Sequence, residues 1–103
     1  MAHDDEALLD ALKALANPTR LAIMRWLRDP DANFPPVDAP REHGVCLKQI
    51  YERAGVSQST ASQFMAVLQR ARLVRSRRAG QWTYYERDEE QIAALARQLG
   101  ASI

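Results

Sequence analysis

Apolar residues between Gly55 and Val74 recur with the period of an α-helix, and the pattern changes directly after Arg72. On a helix of 3.6 residues per turn, one face collects Ala61, Phe64, Met65, Val67, Leu68 and Ala71. From Leu73 onward the period is two, in two runs of aromatic, β-branched and basic residues on either side of Gly80. A helix followed at once by a β-hairpin is therefore the strongest constraint on the fold.

The opposite face of this helix carries short hydroxyl and amide side chains and no carboxylate. Solvent-facing helices usually mix Glu and Lys at positions i and i+4. Hydroxyls and amides can instead hydrogen-bond to base edges in a major groove, and the lack of carboxylates avoids repulsion from phosphate. We predict base contacts from Gln58, Ser59, Ser62 and Gln63. An ordinary polar surface helix is the alternative interpretation.

Capping residues divide the chain into further helices. Apolar periodicity predicts a first helix over residues 5–16, and Asn17 followed by Pro18 is typical of the start of a second, over 18–28. A short third helix is predicted over 46–54.

Gly55 suits a left-handed helix end and Ser57 suits the N-cap of the polar-faced helix. Helix, glycine turn and helix form a helix-turn-helix over 46–72, whose second helix enters the major groove. The hairpin, 73–87, is a wing with strands over 73–78 and 81–86, and a last helix, capped by Asp88, covers 88–99. The predicted fold is mostly α with a small β-hairpin (α+β), a winged helix-turn-helix in the order α-α-α-α-β-β-α.

One domain over 1–103 accommodates all of these elements. Residues 29–44 contain four of the five prolines and are predicted to form a loop. A connection of this length is unusual in a compact domain. We expect either a flexible insertion or a segment that orders on binding ligand or DNA.

Charge is distributed unevenly, although the formal net charge is only +1. Eight basic and two acidic side chains lie between Leu47 and Arg87, whereas acidic residues concentrate towards both ends. This distribution predicts one DNA-facing surface. We expect phosphate contacts from the recognition helix and the wing, by Thr60, Arg70, Arg75, Arg77 and Arg78.

The first helix is apolar over a wide arc, which indicates two neighbours. A homodimer would supply the second neighbour of so small a chain. The predicted dimer face is formed by the first and last helices, through Leu8, Leu12, Leu15, Ile92, Leu95 and Leu99.

Cys46 is the only cysteine, so no intrachain disulfide can form and a reducing cytoplasm is expected. We expect no signal peptide and no membrane span, because no sufficiently long apolar run is present. No acid–base pair, activated nucleophile or Gly-rich phosphate loop points to an enzyme.

Three strings give a family resemblance: ALKALANPTRLAIMRWL over 11–27, VSQSTASQFMAVLQRARLV over 56–74 and GQWTYYERD over 80–88. Together they resemble the ArsR/SmtB family of small dimeric bacterial repressors. The resemblance implies a winged-helix homodimer joined through its first and last helices. It also implies a double-stranded DNA operator as partner, and release from that operator when an effector binds.

The sequence departs from that family in its metal ligands. Metal-sensing members carry a Cys-x-Cys pair at the start of the third helix, where this chain has Cys46 and Lys48. The family's second site uses an Asp-x-His pair and later His or Glu ligands on the last helix, whereas the last helix here opens with Asp88, Glu89 and Glu90 and contains no His. We therefore expect no metal and no cofactor, and the effector stays unidentified. His43 and Cys46, with His3 of the partner subunit, are the one residual metal-binding alternative.

Two alternative functions stay open. Cys46 could act as a redox or electrophile switch in a repressor, because bulk or charge added at the start of the third helix would tilt the recognition helix. A winged helix can also serve as a protein-interaction module. Such a module would carry acids or apolar patches on the polar helix face and lack a basic wing, and neither condition is met.

Overall fold

A computed structural model describes residues 2–37 and 41–103, and for residues 2–4 it describes the backbone alone. Within these ranges the chain forms six helices and three strands. The helices are α1 (Ala2–Leu15), α2 (Pro18–Arg28), α3 (Pro30–Asn33), α4 (Leu47–Ala54), α5 (Gln58–Arg70) and α6 (Glu89–Ser102). The strands are β1 (Val45–Cys46), β2 (Val74–Ala79) and β3 (Trp82–Arg87). The recognition helix of the sequence analysis is α5.

The three strands form one antiparallel sheet in the order β1-β3-β2. In the hairpin, Ala79 pairs with Trp82, so Gly80 and Gln81 make the turn. Gly80 adopts a left-handed φ of 62°, which confirms it as the turn glycine. Both strands run one residue later than the sequence pattern suggested.

Helix caps are confirmed as predicted. The Asn17 side chain accepts hydrogen bonds from the backbone N–H groups of Thr19 and Arg20, at 3.0 and 2.9 Å. Ser57 Oγ accepts from Thr60 N at 3.1 Å, and Asp88 Oδ1 accepts from Gln91 N at 3.2 Å. Each bond satisfies a backbone donor that a helix start leaves free, and each cap contributes about 1 kcal/mol.

The core lies where α2, α4 and α5 meet the base of the sheet. Ile23, Val45, Ile50, Met65 and Leu68 are fully buried there. Tyr85 closes the sheet side of this core, and burial raises the pKa of its phenol above the usual value of a tyrosine side chain.

Residues 29–37 contain more regular structure than the predicted loop. Asp29 is followed by the helical turn α3, and Phe34 is buried against Trp26 in an edge-to-face arrangement with ring centroids 6.5 Å apart. A lone aromatic among prolines carries no periodic signal, so its burial was not predictable from pattern. Residues 38–40 of the predicted loop lie outside the described residues.

The predicted third helix also begins one residue later than expected. Cys46 is the last residue of β1 and the N-cap of α4, with an extended backbone and no side-chain cap bond. A two-residue strand is too short to show alternation, so its pairing with β3 becomes visible only in the fold.

Two arginines fix neighbouring elements through backbone carbonyls. Arg20 Nε donates to the carbonyl oxygen of Ala14 at 2.7 Å, which satisfies an acceptor at the end of α1. Arg87 Nη1 donates to Met24 O at 3.2 Å, while its Nε donates to Glu89 Oε2 at 2.8 Å. Arg87 therefore joins β3 to α2, and its charge is paired in place.

Among the described residues, no helix combines the length and the apolar character needed to cross a lipid bilayer.

Candidate nucleic-acid interface

The orientation of α5 is fixed by its buried face and by the turn before it. Ala61, Met65 and Leu68 have no exposed surface. Gly55 ends α4 in a left-handed conformation with φ 68°, and the N–H groups of Gly55 and Val56 both donate to the Tyr51 carbonyl oxygen. The polar face of α5 must therefore point away from the core.

All four predicted base contacts lie on that outward face. Gln58, Ser59, Ser62 and Gln63 are each exposed. They occupy the first two turns of the helix, and no acidic residue is present anywhere in α5. A protruding helix start with hydroxyl and amide groups matches what a major groove can accept.

Thr60 and Arg70, the predicted phosphate contacts of this helix, differ in their surroundings. Thr60 is half-buried, and its hydroxyl receives a hydrogen bond from Ser57 Oγ at 2.9 Å. Arg70 is exposed in the last turn of α5. Thr60 is thus part of the N-cap network, whereas Arg70 is free to reach outward.

The three arginines of the wing lie on two different faces of the hairpin. Opposed residues of an antiparallel pair share a face, so Arg75 lies with Glu86, Arg77 with Tyr84, and Arg78 on the other face. Arg75 forms an ion pair with Glu86 at 3.4 Å, and Arg77 Nη1 lies 3.3 Å from Nδ1 of His43. Arg78 is exposed and makes no ion pair with the residues that the structure describes.

A small groove joins the recognition helix to the wing. Its lining includes Gln58 from α5, Lys48 from α4, and Trp82 and Thr83 from the tip of β3. Lys48 and Trp82 were not among the predicted contacts. The sequence showed Lys48 only as a replacement for a cysteine, and its position beside Gln58 depends on how α4 meets the hairpin.

The predicted dimer face is only partly open within one protomer. Leu8 is 8% exposed and belongs to the protomer's own core. Leu12, Leu15, Ile92, Leu95 and Leu99 are half-buried. Leu9, which the prediction omitted, is 51% exposed on the outer side of α1.

Cys46 is half-buried and its thiol is free. Within the described ranges, no group of three or more His, Cys, Asp or Glu residues could hold a metal ion. The side chain of His3, named in the residual metal alternative, lies outside the described residues.

The fold is that of a winged helix-turn-helix protein. It combines the helices α1, α2 and α6 with a helix-turn-helix, α4 and α5, and with a hairpin, β2 and β3, beside the outward polar helix α5. The short α3 and β1 are additions to that plan. Comparison with known proteins agrees with this class.

The chain is 44% identical over 90 residues to YbzH, an uncharacterized HTH-type transcriptional regulator of Bacillus subtilis, covering 85% of this chain and 90% of that protein. A provisionally named arsenical resistance operon repressor of Halobacterium salinarum, ArsR2, is 36% identical over 81 residues, with 79% and 59% covered. No family model matches the chain.

Among solved structures, the chain is similar to the homodimeric winged helix-turn-helix DNA-binding domain of a possible ArsR-family regulator from Mycobacterium bovis. The two share 26% identity and a TM-score of 0.70, over 97% of this chain and 81% of that one. The protein belongs to the ArsR family of winged helix-turn-helix transcriptional regulators.

Proposed function

We propose that this protein is a homodimeric repressor that binds a double-stranded DNA operator in the cytoplasm and is released by an effector. The outward face of α5 carries this proposal, because its exposed groups hydrogen-bond readily and none of them is anionic. Binding, rather than catalysis, is the proposed activity. The family resemblance supplies repression and release.

A shift assay on the DNA upstream of the protein's own gene tests this proposal. We expect a complex that survives about a hundredfold excess of unrelated duplex, because specific sites are typically bound at least 10³-fold more tightly. A complex that unrelated duplex removes as readily as the unlabelled upstream duplex would contradict sequence-specific binding at that site.

Dimerisation is proposed through the outer sides of α1 and α6. None of the residues of α6, all of which the structure describes, is buried within the protomer. Ile92 and Leu99 are nevertheless apolar and lie on one side of that helix, as Leu9 and Leu12 do on α1, and Ile92 is covered only in part by the protomer's own core. A second chain would cover both stripes and set two copies of α5 at the spacing of one duplex turn, roughly 34 Å.

Replacing Leu99 by Glu should convert the dimer into monomers, because a carboxylate would be buried without a partner in the apolar contact. Sedimentation velocity at micromolar concentration measures the change. Arg97→Glu is the matched control, since Arg97 is exposed on the opposite side of α6, and it should stay dimeric. A monomeric wild-type protein would contradict the proposed assembly.

The wing arginines should weaken DNA binding by different amounts. Arg78 has no ion pair with the described residues, so Arg78→Ala should reduce the steepness of log K against log salt by about 1.8, which is about 0.9 for each subunit of the dimer, on any sequence. Arg75→Ala should lower it less, because Glu86 already offsets part of that charge.

Arg97→Ala is the control for the wing series, because it removes the same charge from α6, which is not part of the wing. Its slope should equal that of the wild type. An unchanged slope in a triple variant of Arg75, Arg77 and Arg78 would place the wing away from the DNA.

A further inference from the structure

A half-open cavity of about 430 Å³ lies on the outer face of the sheet, between the wing and the segment before β1. Its floor is formed by Cys46, Trp82 and Tyr84. These side chains share one face because Cys46 pairs with Tyr84 and Trp82 lies two residues before Tyr84. The volume falls in the range of small-molecule sites, roughly 300–1,000 Å³.

One wall of the cavity is held rigidly by Arg41. Its guanidinium donates to Gln49 Oε1 at 2.7 Å, to Pro35 O at 2.7 Å and to Asp31 Oδ1 at 3.2 Å. The Arg41 side chain is only 12% exposed. Gln49 in turn donates to Pro35 O at 3.0 Å, so the wall is fixed before any ligand arrives.

Two side chains at the cavity are available to a ligand, the ring of Trp82 and the ammonium of Lys48. Trp82 is 48% exposed, and within the described residues its ring stacks on no other aromatic ring. The exposed ammonium of Lys48 forms no ion pair with the described residues. An apolar ring surface and an unpaired cation in the lining of the same cavity are complementary to a ligand ring that bears an anionic group.

We propose that this cavity binds a small aromatic carboxylate, with its ring on Trp82 and Tyr84 and its carboxylate paired with Lys48. The guanidinium of Arg41 is offset by its ion pair with Asp31, so the unpaired Lys48 supplies the positive charge that disfavours aromatic cations. Glu42, also in the lining, is largely exposed and opposes this charge only weakly.

Occupancy of the cavity should alter operator binding, and this consequence rests on the proposed function. The same side chains, Lys48 and Trp82, also line the groove that contains Gln58 of α5. A ligand that draws Lys48 and the tip of β3 together would change how the start of α5 and the wing face DNA.

Isothermal titration of the full chain with naphthalene-2-carboxylate, without DNA, tests the site. We expect saturable binding, one molecule per chain, with Kd of about 1 mM or tighter, the affinity that a ligand of about 13 heavy atoms reaches at ~0.3 kcal/mol per atom. The neutral naphthalene-2-carboxamide should bind at least about fivefold more weakly.

Variants identify the contacts, and circular dichroism confirms that each is folded. Lys48→Gln should weaken the carboxylate about fivefold and leave the carboxamide unchanged, while Trp82→Ala should weaken both by about tenfold. The control is Lys13→Gln, which removes the other lysine, on α1, and should bind as the wild type does. No saturable binding of the carboxylate by the wild type below about 10 mM, or wild-type affinity for it in both Lys48→Gln and Trp82→Ala, would overturn the proposal.

Operator affinity is then measured with and without 10 mM naphthalene-2-carboxylate. At this concentration the site should be about nine-tenths occupied in the wild type and about half occupied in Trp82→Ala, so a change in the wild type that is clearly smaller in Trp82→Ala supports the regulatory link. An unchanged affinity in the wild type would overturn it. Failure to bind operator without ligand would instead count against the proposed function.

Discussion

Replacing both Ser62 and Gln63 by Ala should lower operator affinity about 30-fold or more and leave affinity for unrelated duplex unchanged. Each base contact that these side chains make is expected to contribute about 1–3 kcal/mol of discrimination. Neither residue takes part in the N-cap bonds around Ser57, and both are exposed, so the helix should remain intact.

Fluorescence anisotropy on operator and random duplexes at one salt concentration measures this difference. Gln69→Ala is the matched control, because Gln69 is an exposed amide on the same helix, two turns beyond Ser62. It should change operator affinity little, since the first turns of a recognition helix reach the bases. Equal losses on both duplexes would show that Ser62 and Gln63 do not read sequence.

Replacing Gly44 by Ala should destabilise the protein by about 3 kcal/mol, the largest stability effect that we predict for a glycine. Gly44 has φ +99°, a backbone conformation that residues with a side chain rarely adopt. An added Cβ would also collide with the Tyr85 carbonyl oxygen and lie 2.7 Å from its carbonyl carbon. Because these are backbone atoms, relief requires β1 and β3 to separate.

Two other glycines provide a graded control. At Gly55 an added Cβ meets nothing within 4 Å but φ is +68°, so Gly55→Ala should cost about 1 kcal/mol. At Gly100, within α6, there is neither clash nor strain, so Gly100→Ala should stabilise by about 0.5–1 kcal/mol. Urea unfolding at one protein concentration compares the three. A Gly44→Ala variant as stable as Gly55→Ala would contradict the close contact between β1 and β3.

Local signals were sufficient where a single residue type determines a backbone conformation. Asn17, Gly55, Ser57 and Gly80 each occupy the cap or turn that the sequence predicts, because their side chains, or the lack of one, solve a local problem. The outward face of α5 followed from periodicity in the same way. These features define the winged helix-turn-helix.

Features that depend on distant partners were not predictable from pattern. Arg87 appeared to belong to the basic DNA-facing surface, yet it donates to a backbone carbonyl on α2 and to Glu89. Arg41 lay in a segment predicted as a loop, yet it is nearly buried among three acceptors. Both roles require knowing which carbonyl or carboxylate lies across the fold, and charge counts along the chain contain no such information.

Leu8 illustrates the same limit on the dimer face. Its helical spacing places it with Leu12 and Leu15, but a stripe that is apolar over a wide arc does not reveal which edge contacts the protomer's own core. The structure buries Leu8 and exposes Leu9. A double replacement of Leu9 and Leu99 is therefore a better probe of the subunit contact than one that includes Leu8.

Selection of bound duplexes from a random-sequence library, with the wild-type chain, tests the central claim most directly. Two copies of α5 related by a two-fold axis should enrich an inverted repeat, with half-sites centred about 10 base pairs apart. The Ser62→Ala and Gln63→Ala double variant should lose that enrichment while it retains salt-dependent binding to the library as a whole. A wild-type protein that enriches no motif, or only a single half-site, would contradict a dimeric, sequence-reading regulator.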